Sequence, residues 1–294
     1  MIKKIEIIFY KHFLFKESRM SKQNNTPEKE IEFLKAELKV CQTIKNQGDR
    51  DELLCQMELL HLNQTGQYDK LVEICGEESS DGIKLNDVTN NNKIEDINNI
   101  FKKTAPSYKS DFSITMNKTG KKYNISLKSK NGNPPTILNH TPRTAKIFKE
   151  GGILHDCLPC LDEVVKEYLY KRNNRIIGED TPITNLTCLD DNDLKEKFIY
   201  VVSFFIFEGT GKGYSKARAN SVIEYSYDKT TFIICEDIEQ KKRYIESIYD
   251  RIIISLRDKC MPKELNEYCK PWVFDEIKSN GSIKHKGSLH LRLA

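Results

Sequence analysis

The sequence predicts an α/β or α+β protein in layers, with helices first and then a sheet with inserted helices. Three observations predict this class. Helical patterns occupy the start of the chain, the most apolar run, FIYVVSFFIF (198–207), is rich in β-branched and aromatic residues, and the tail, SLHLRL, alternates between polar and apolar residues. With 294 residues, the chain can form one large domain or two small ones.

Three helices are predicted before residue 76. Thr26 and Pro27 supply an N-cap and a proline in the first turn, and the helix continues through EKEIEFLKAELKV. After a break at Gly48, DRDELLCQMELLHL repeats the helical spacing, and YDKLVEIC forms a shorter third helix. No sustained period links the three, so we interpret them as a helical layer on a sheet and not as a solenoid.

Residues 109–132, KSDFSITMNKTGKKYNISLKSKNG, predict two short strands joined by the turn NKTGKK. Asp111 begins the first strand, and Ser126 and Lys128 lie late in the second. Alternation puts Ser126 and Lys128 on one face and their apolar neighbours in the core. The polar segment NGNPPTILNHTPR follows, and its prolines exclude continuous regular structure before about Arg143.

The later elements follow from the same rules. They are a helix IEDINNIFKK before the strand pair, a helix from Asp162, a buried central strand at 198–207, the strands SVIEYSY and TFIICE, a helix IEQKKRYIESIYDR and a final strand GSLHLRL. We predict an N-terminal extension over 1–25, a helical layer over 26–105 and an α/β core over 106–294, with 26–294 as one continuous domain as the alternative. Residues 1–19 also fit an over-extended gene start, because Met20 begins a more ordinary opening.

Charge is unevenly distributed along the chain. The net charge is only +4, but between Lys102 and Lys149 there are eleven Lys or Arg and one acid, Asp111. Such a segment suits a polyanion such as DNA or RNA, and it equally fits a solvated lysine-rich surface. Nine cysteines without a regular framework, and no signal peptide, indicate reduced thiols in an intracellular protein. No stretch predicts a transmembrane helix.

The strand pair carries the residue types that phosphodiester hydrolysis needs. The reaction requires a metal that polarises the phosphate and makes hydroxide from water, and a cation that stabilises charge or orients the water. Asp111 is a candidate metal ligand, the backbone carbonyl of Leu127 is a second, and Lys128 is the candidate cation. The alternative is a surface hairpin with an exposed lysine.

The 106–150 block resembles type II restriction endonucleases of large DNA viruses and bacteria, which cut short palindromes. The likeness rests on Asp111 and Ser126-x-Lys128, an S-x-K variant of the PD-(D/E)xK motif, and extends diffusely over 26–294 through FEGTGKGYSKARAN, ISLRDKCMP and HKGSLHLRL. It implies a central mixed sheet flanked by helices, with Asp111 on Mg²⁺, Lys128 as the catalytic lysine and Ser126 in place of the usual second acid.

The source of a further acid stays open. In some restriction enzymes with this serine, a helix supplies the acid about thirteen residues past the lysine, where this chain has Thr141 and Pro142. The remaining candidates are Glu52, Glu58, Glu150, Glu163 and Glu167.

Three other patterns suggest metal or phosphate sites. His155-x-Cys157-x-x-Cys160 suggests a zinc site, but the sequence has no second pair of closely spaced ligands to complete it. An HNH nuclease that uses Asn139-His140 and His155 would need a strand–loop–helix pattern with correctly spaced histidines, which the sequence lacks. The loop Gly209–Gly213 does not meet the Walker A pattern.

The sequence therefore predicts a type II restriction endonuclease that cleaves double-stranded DNA with Mg²⁺, as a homodimer, with a possible cognate methyltransferase and no membrane association. We expect it in a bacterial cytoplasm or in a cell infected by a large DNA virus. The candidate DNA-contacting residues are Lys130, Asn139, His140, Arg143, Lys212, Lys216, His290 and Arg292. The alternatives are a non-catalytic nucleic-acid-binding protein and a helical interaction protein built on residues 26–75.

Overall fold

The computed structural model describes residues 27–86, 108–139, 142–178, 181, 183–257, 273–277 and 283–294. Within these ranges the protein is a mixed α/β structure with seven α-helices, a mixed five-stranded sheet flanked by helices and a helical N-terminal region. The predicted fold class is therefore confirmed.

The helices are numbered in chain order. They are α1 (Pro27–Thr43), α2 (Gln47–Gln64), α3 (Tyr68–Cys75), α4 (Pro142–Phe148), α5 (Leu158–Asn173), α6 (Asn192–Ser203) and α7 (Ile238–Ile248). Short 3₁₀ turns lie at Glu77–Ser79, His155–Cys157, Thr187–Asp190 and Tyr249–Arg251, and a π-helical turn at Phe204–Glu208.

The strands are numbered in the same way. They are β1 (Ile83–Leu85), β2 (Phe112–Met116), β3 (Lys122–Ser129), β4 (Thr136–Asn139), β5 (Gly209–Thr210), β6 (Gly213–Tyr214), β7 (Ser221–Tyr225), β8 (Thr230–Ile234), β9 (Ile252–Arg257), β10 (Val273–Ile277) and β11 (Ile283–Leu293).

The chain forms two compact units, and each takes its residues from separate segments. Unit 1 holds the described residues of 27–86, 110–133 and 221–234. Unit 2 holds those of 108–109, 134–220 and 235–294. The chain leaves unit 1 after β3 and re-enters it at β7, so both units contain residues that are distant in sequence.

Unit 1 is a five-stranded sheet in the order β1-β2-β3-β7-β8. Its neighbouring strands are antiparallel except for β3 and β7, which are parallel. A parallel pair requires a long crossover, and the excursion of the chain between residues 129 and 221 supplies it. The predicted strands SVIEYSY and TFIICE are confirmed as β7 and β8.

The core of unit 1 lies between this sheet and helices α1–α3. Asn46 caps the N-terminus of α2, because its side chain accepts a hydrogen bond from the Asp49 N–H group. Most residues of this helix between Asp51 and Asn63 are buried. The sheet contributes alternate residues of β3 and β7 to the same cluster: Tyr123, Ile125, Leu127, Ile223 and Tyr225. Alternation therefore leaves Ser126 and Lys128 on the opposite face of the sheet, as the sequence predicted.

The strand predicted at 198–207 is wrong. The segment forms the end of α6 and the π-helical turn that follows it. A fully apolar run has no period that separates a buried strand from a buried helix. The decisive signal lies upstream, where the Asp191 side chain accepts a hydrogen bond from the Leu194 N–H group and caps α6.

Unit 2 contains an antiparallel sheet built around the long C-terminal strand β11. Strand β9 pairs with residues 288–293 of β11, β10 with 283–288 and β4 with 290–292. The tail strand is thus confirmed. The sequence excluded continuous regular structure before about Arg143, and the four-residue strand β4 (Thr136–Asn139) is confined between the Pro-Pro and Thr-Pro steps.

Some predicted features lie outside the described residues: the N-cap at Thr26, the helix IEDINNIFKK and the extension over 1–25. None of the helices in the described ranges is both long enough and apolar enough to cross a bilayer.

Candidate active site

The candidate site lies in unit 1, where β2 begins and β3 ends. The register pairs Phe112 with Ile125, and continuing it by one residue places Asp111 opposite Ser126. Lys128 lies two residues further along β3 and therefore on the same face. The antiparallel pairing thus brings together the three side chains that the sequence singled out.

Two hydrogen bonds fix Asp111 at the end of the ladder. Its N–H group donates to the Ile125 carbonyl at 2.7 Å, and its Oδ2 accepts from the Leu127 N–H group at 2.7 Å. The N–H and C=O groups of one strand residue point to the same side, so the Leu127 carbonyl also points towards the edge where β2 has ended. A carboxylate and a backbone carbonyl are therefore directed to one place.

Lys128 is buried, with 5% of its surface exposed. Burial lowers the pKa of its ammonium group below the ordinary value of 10.5, and the nearby carboxylates of Asp111 and Glu52 oppose that shift. Glu52 lies on α2, and the charge of this second acid also acts on the lysine. Among the acids considered from sequence, Glu52 is the one whose charge acts on Lys128.

The other described candidates have different surroundings. The charge of Glu58 acts on Cys55 and Tyr225, in the core of unit 1. Glu167 lies in unit 2, where burial would raise its pKa, but hydrogen bonds from Lys171 and from the residues around Cys188 bring it to about 2. Glu163 forms an exposed ion pair with Lys166. None of these pairs with the candidate lysine.

Ser126 adds a buried hydroxyl group. The residue is completely buried, and its Oγ has no hydrogen-bond partner within the described structure. A buried polar atom without a partner costs about 1–3 kcal/mol, so its retention next to Asp111 and Lys128 calls for a functional explanation. A hydroxyl at this position can donate to, or accept from, a bound group.

Strand β7 contributes a residue that sequence reasoning missed. Glu224 is paired in register with Lys128, is buried and forms an ion pair with Lys130. An acid within the wholly buried strand SVIEY was the available signal, because a charged group in such a strand needs a partner.

A second missed group ties α2 to the end of β3. Asp51 is fully buried and accepts hydrogen bonds from the Ser129 hydroxyl group and, at 2.7 Å, from Gln47 Nε2. This contact fixes α2 against the end of β3, one residue away in sequence from Glu52 on the helix and from Lys128 on the strand. The Tyr227 hydroxyl group bonds to the same glutamine at 3.0 Å.

The donor atoms suit a hard cation better than zinc. The described residues contain no group of three or more His, Cys, Asp or Glu side chains that could hold a metal. The site instead directs the Asp111 carboxylate and the Leu127 carbonyl to one edge of the sheet, and the charge of Glu52 acts on the neighbouring Lys128. Mg²⁺ is commonly bound by one or two carboxylates together with waters and substrate phosphates, so this donor set fits Mg²⁺.

Comparisons with family models, curated proteins and solved structures find no match to this chain. The likeness to restriction endonucleases therefore stays a prediction that rests on Asp111, Ser126 and Lys128. The contacts just described concern unit 1 alone and stand independently of that likeness.

The predicted DNA-contacting residues are dispersed. Lys130 is in unit 1 and pairs with Glu224. In unit 2, Lys212 and Lys216 are exposed and Asn139 is half-buried. His140 and the side chain of Arg143, a residue of α4, lie outside the described residues. Among the described side chains of this set, Lys212 and Lys216 lie on one exposed segment, whereas Lys130 belongs to the other unit.

His290 was expected on a face of β11 that is open to DNA or solvent, and this expectation is wrong. His290 is 7% exposed, and its ring nitrogens bond to the Thr136 hydroxyl group at 3.0 Å and to Arg292 Nε at 3.1 Å. Both residues do share a face, but the side chain of His290 is buried on that face and bonded to its neighbours. His290 therefore stabilises unit 2 rather than facing DNA or solvent.

The zinc interpretation of His155, Cys157 and Cys160 finds no support in the described residues. The two cysteines are buried as free thiols, and Cys160 Sγ donates to the Leu194 carbonyl at 3.1 Å. Burial raises the pKa of Cys157 to about 11 and that of Cys160 to about 12. They serve as small apolar residues of the core of unit 2.

Proposed function

We propose that the chain is a Mg²⁺-dependent endonuclease that hydrolyses double-stranded DNA as a type II restriction enzyme does. The observation that carries the proposal is the buried Lys128 on the same face of β3 as Ser126, whose hydroxyl group has no partner in the described structure, with the charges of Asp111 and Glu52 acting on the lysine. A buried lysine with a lowered pKa in such surroundings is typical of functional sites.

The protein groups have separate tasks in this reaction. Asp111, Glu52 and the Leu127 carbonyl would hold the cation, which when bound supplies Lewis acidity and a more acidic water. Lys128 places a positive charge next to the scissile phosphate and stabilises the added negative charge in the transition state. The bond from the Leu127 N–H group orients the Asp111 carboxylate, so little reorganisation is needed when a phosphate arrives.

A purely structural role explains the site less well. A salt bridge made only for stability gains little when buried, because desolvation of the ammonium group offsets the attraction. Lys128 retains a lowered pKa despite two carboxylates, which means that burial outweighs their attraction. Such a cost is common where function requires the charge.

The remaining features of the proposal follow from the substrate. A palindromic duplex site has two-fold symmetry, which a homodimer matches, and a cognate methyltransferase would protect the same site on host DNA. The setting is then the cytoplasm of a bacterium or of a cell infected by a large DNA virus.

The test is incubation of the purified protein with plasmid DNA and Mg²⁺, followed by mapping of the ends. Lys128→Ala, Asp111→Asn and Glu52→Gln are each expected to reduce the cleavage rate by about 10²–10³. Asp111→Asn retains an oxygen that can accept from the Leu127 N–H group, so it separates loss of charge from loss of the strand contact. Binding of the same DNA in Ca²⁺ is expected to persist in Lys128→Ala.

Lys84→Ala, which alters an exposed lysine on β1, is the matched control and should cleave at the wild-type rate. Full cleavage by Lys128→Ala would refute the assignment. Wild-type protein that binds duplex DNA but does not cut it with Mg²⁺ or Mn²⁺ would favour the non-catalytic nucleic-acid-binding alternative.

A further inference from the structure

Unit 2 carries an exposed aromatic and basic surface, which we call the 200–218 patch and define as Tyr200, Lys212, Tyr214, Lys216 and Arg218. The two tyrosines are 47% and 50% exposed, and their side chains are hydrogen-bonded to each other. The three cations are also exposed. Exposed aromatic side chains that form a contiguous surface with cations are a common feature of recognition sites.

The hairpin of β5 and β6, which carries Lys212 and Tyr214, is held in place by close contacts with its glycines. A side chain on Gly209 would meet the Phe204 ring at 2.4 Å and the Gly213 carbonyl at 2.5 Å. Gly213 itself has φ of +105°, which favours glycine. After the hairpin, the buried Ser215 hydroxyl group accepts from the Lys109 N–H group at 2.8 Å and donates to the Ala217 carbonyl at 2.9 Å. The projecting side chains are therefore on an ordered support.

The orientation of Arg218 is set by its neighbours. Its guanidinium group lies over the Tyr214 ring, 4.7 Å from the centroid, and Nη1 bonds to Glu208 at 3.2 Å. Lys241 holds the other oxygen of Glu208 at 2.5 Å, and the Phe204 ring packs edge-on against Tyr214 at 5.5 Å. These contacts present a flat cationic plane, with the Arg218 side chain 55% exposed.

We propose that the 200–218 patch binds single-stranded nucleic acid, with an unpaired base stacked on the Arg218–Tyr214 plane and adjacent phosphates on Lys212 and Lys216. Duplex DNA offers mainly phosphates to a surface, and lysines alone would suffice for those. Exposed rings and a prearranged guanidinium plane instead match bases that are free to stack. This activity is separate from the proposed nuclease function and does not depend on it.

The test is fluorescence anisotropy with labelled oligothymidylate of about 16 nucleotides, in EDTA and in the Lys128→Ala background, so that cleavage cannot contribute. Arg218→Lys keeps the charge but removes the plane and should weaken binding about tenfold, and Tyr214→Leu should do the same. Lys212→Ala and Lys216→Ala should each reduce the dependence of log K on log salt by about 0.7.

The matched controls are Lys242→Ala and Tyr170→Leu, which alter an exposed lysine and an exposed tyrosine elsewhere in unit 2 and should leave binding unchanged. Circular dichroism checks that each variant is folded. Oligouridylate tests an RNA strand, and tight binding of either strand supports the proposal. No binding of either strand, a loss of affinity for a blunt duplex in Arg218→Lys and Tyr214→Leu as large as that for oligothymidylate, or wild-type affinity in both variants would overturn it.

Discussion

At the scale of single residues, the burial of the charged Lys128 lowers stability, whereas the proposed function requires its charge. Its ammonium group is removed from water, while its two carboxylate neighbours only partly compensate. The unfolded chain has no such conflict, since there the lysine is hydrated. Folding therefore becomes linked to the protonation of this one group.

Lys128→Met should remove that linkage. Between the lowered pKa of the folded state and 10.5, the unfolded lysine holds a proton that the folded one releases, so wild-type stability should rise with pH in this window. The methionine variant should lose this rise and be more stable than the wild type near neutral pH, because the lowered pKa indicates a net cost of burying the charged ammonium group, which methionine does not have. Guanidinium denaturation at a series of pH values measures both effects.

The control for this experiment is Lys84→Met, where the lysine is exposed and the pH dependence should remain that of the wild type. A variant at Lys128 with an unchanged pH slope would mean that the ammonium group is hydrated in the folded protein, and the account of the site would be wrong.

At the scale of elements, the contact between α2 and β3 decides whether the site exists. Asp51 and Ser129 join the helix to the end of the strand, and the residues next to them, Glu52 and Lys128, then come into electrostatic range. The bond between Gln47 and Tyr227 adds the turn after β7 to the same polar cluster. The candidate site is thus supported by three segments of unit 1.

Ser129→Ala should weaken this support. It leaves a buried carboxylate oxygen of Asp51 without its hydroxyl partner, at an expected cost of about 1–3 kcal/mol in the free energy of unfolding. If Asp51 positions Glu52, the cleavage rate should also fall while the affinity for DNA in Ca²⁺ stays constant. Ser129→Thr keeps the hydroxyl group and should restore both properties.

Ser247→Ala, on an exposed position of α7, serves as the comparison and should alter neither stability nor cleavage. Loss of stability in Ser129→Ala with a wild-type cleavage rate would restrict the contact to a structural role.

At the scale of the whole molecule, the low net charge conceals how the basic residues are distributed. The basic segment between Lys102 and Lys149 is divided between the two units, since the chain passes from one to the other after residue 133. Among the described residues, Lys118, Lys121, Lys122, Lys128 and Lys130 belong to unit 1, and Lys109, Lys146 and Lys149 belong to unit 2.

The proposed enzyme should be a homodimer, because each chain contributes one Lys128 and a cut through both strands of a palindrome requires two sites. Sedimentation velocity should give twice the chain mass of 34.2 kDa. A monomer that stays monomeric on its DNA site and makes only single-strand nicks would contradict this expectation.

Several features were predictable because they depend on local periodicity. Helix α3 was predicted with its observed limits, and the alternation in β3 correctly placed Ser126 and Lys128 opposite the core. The same reasoning failed for residues 198–207, since an entirely apolar run has no period. It also failed for His290, because alternation within one strand does not reveal that the side chain becomes buried in the folded unit.

The sequence by itself determined that Ser126 and Lys128 would share one face of a strand, because strand geometry alternates with a period of two. Only the tertiary structure decided that Asp111 lies opposite Ser126 and which further acid has a charge that acts on Lys128. Glu52 lies 76 positions before Lys128, and its approach depends on the packing of α2 and on the buried Asp51–Ser129 contact. No local period encodes a contact between such distant segments, since it arises when the core of unit 1 closes.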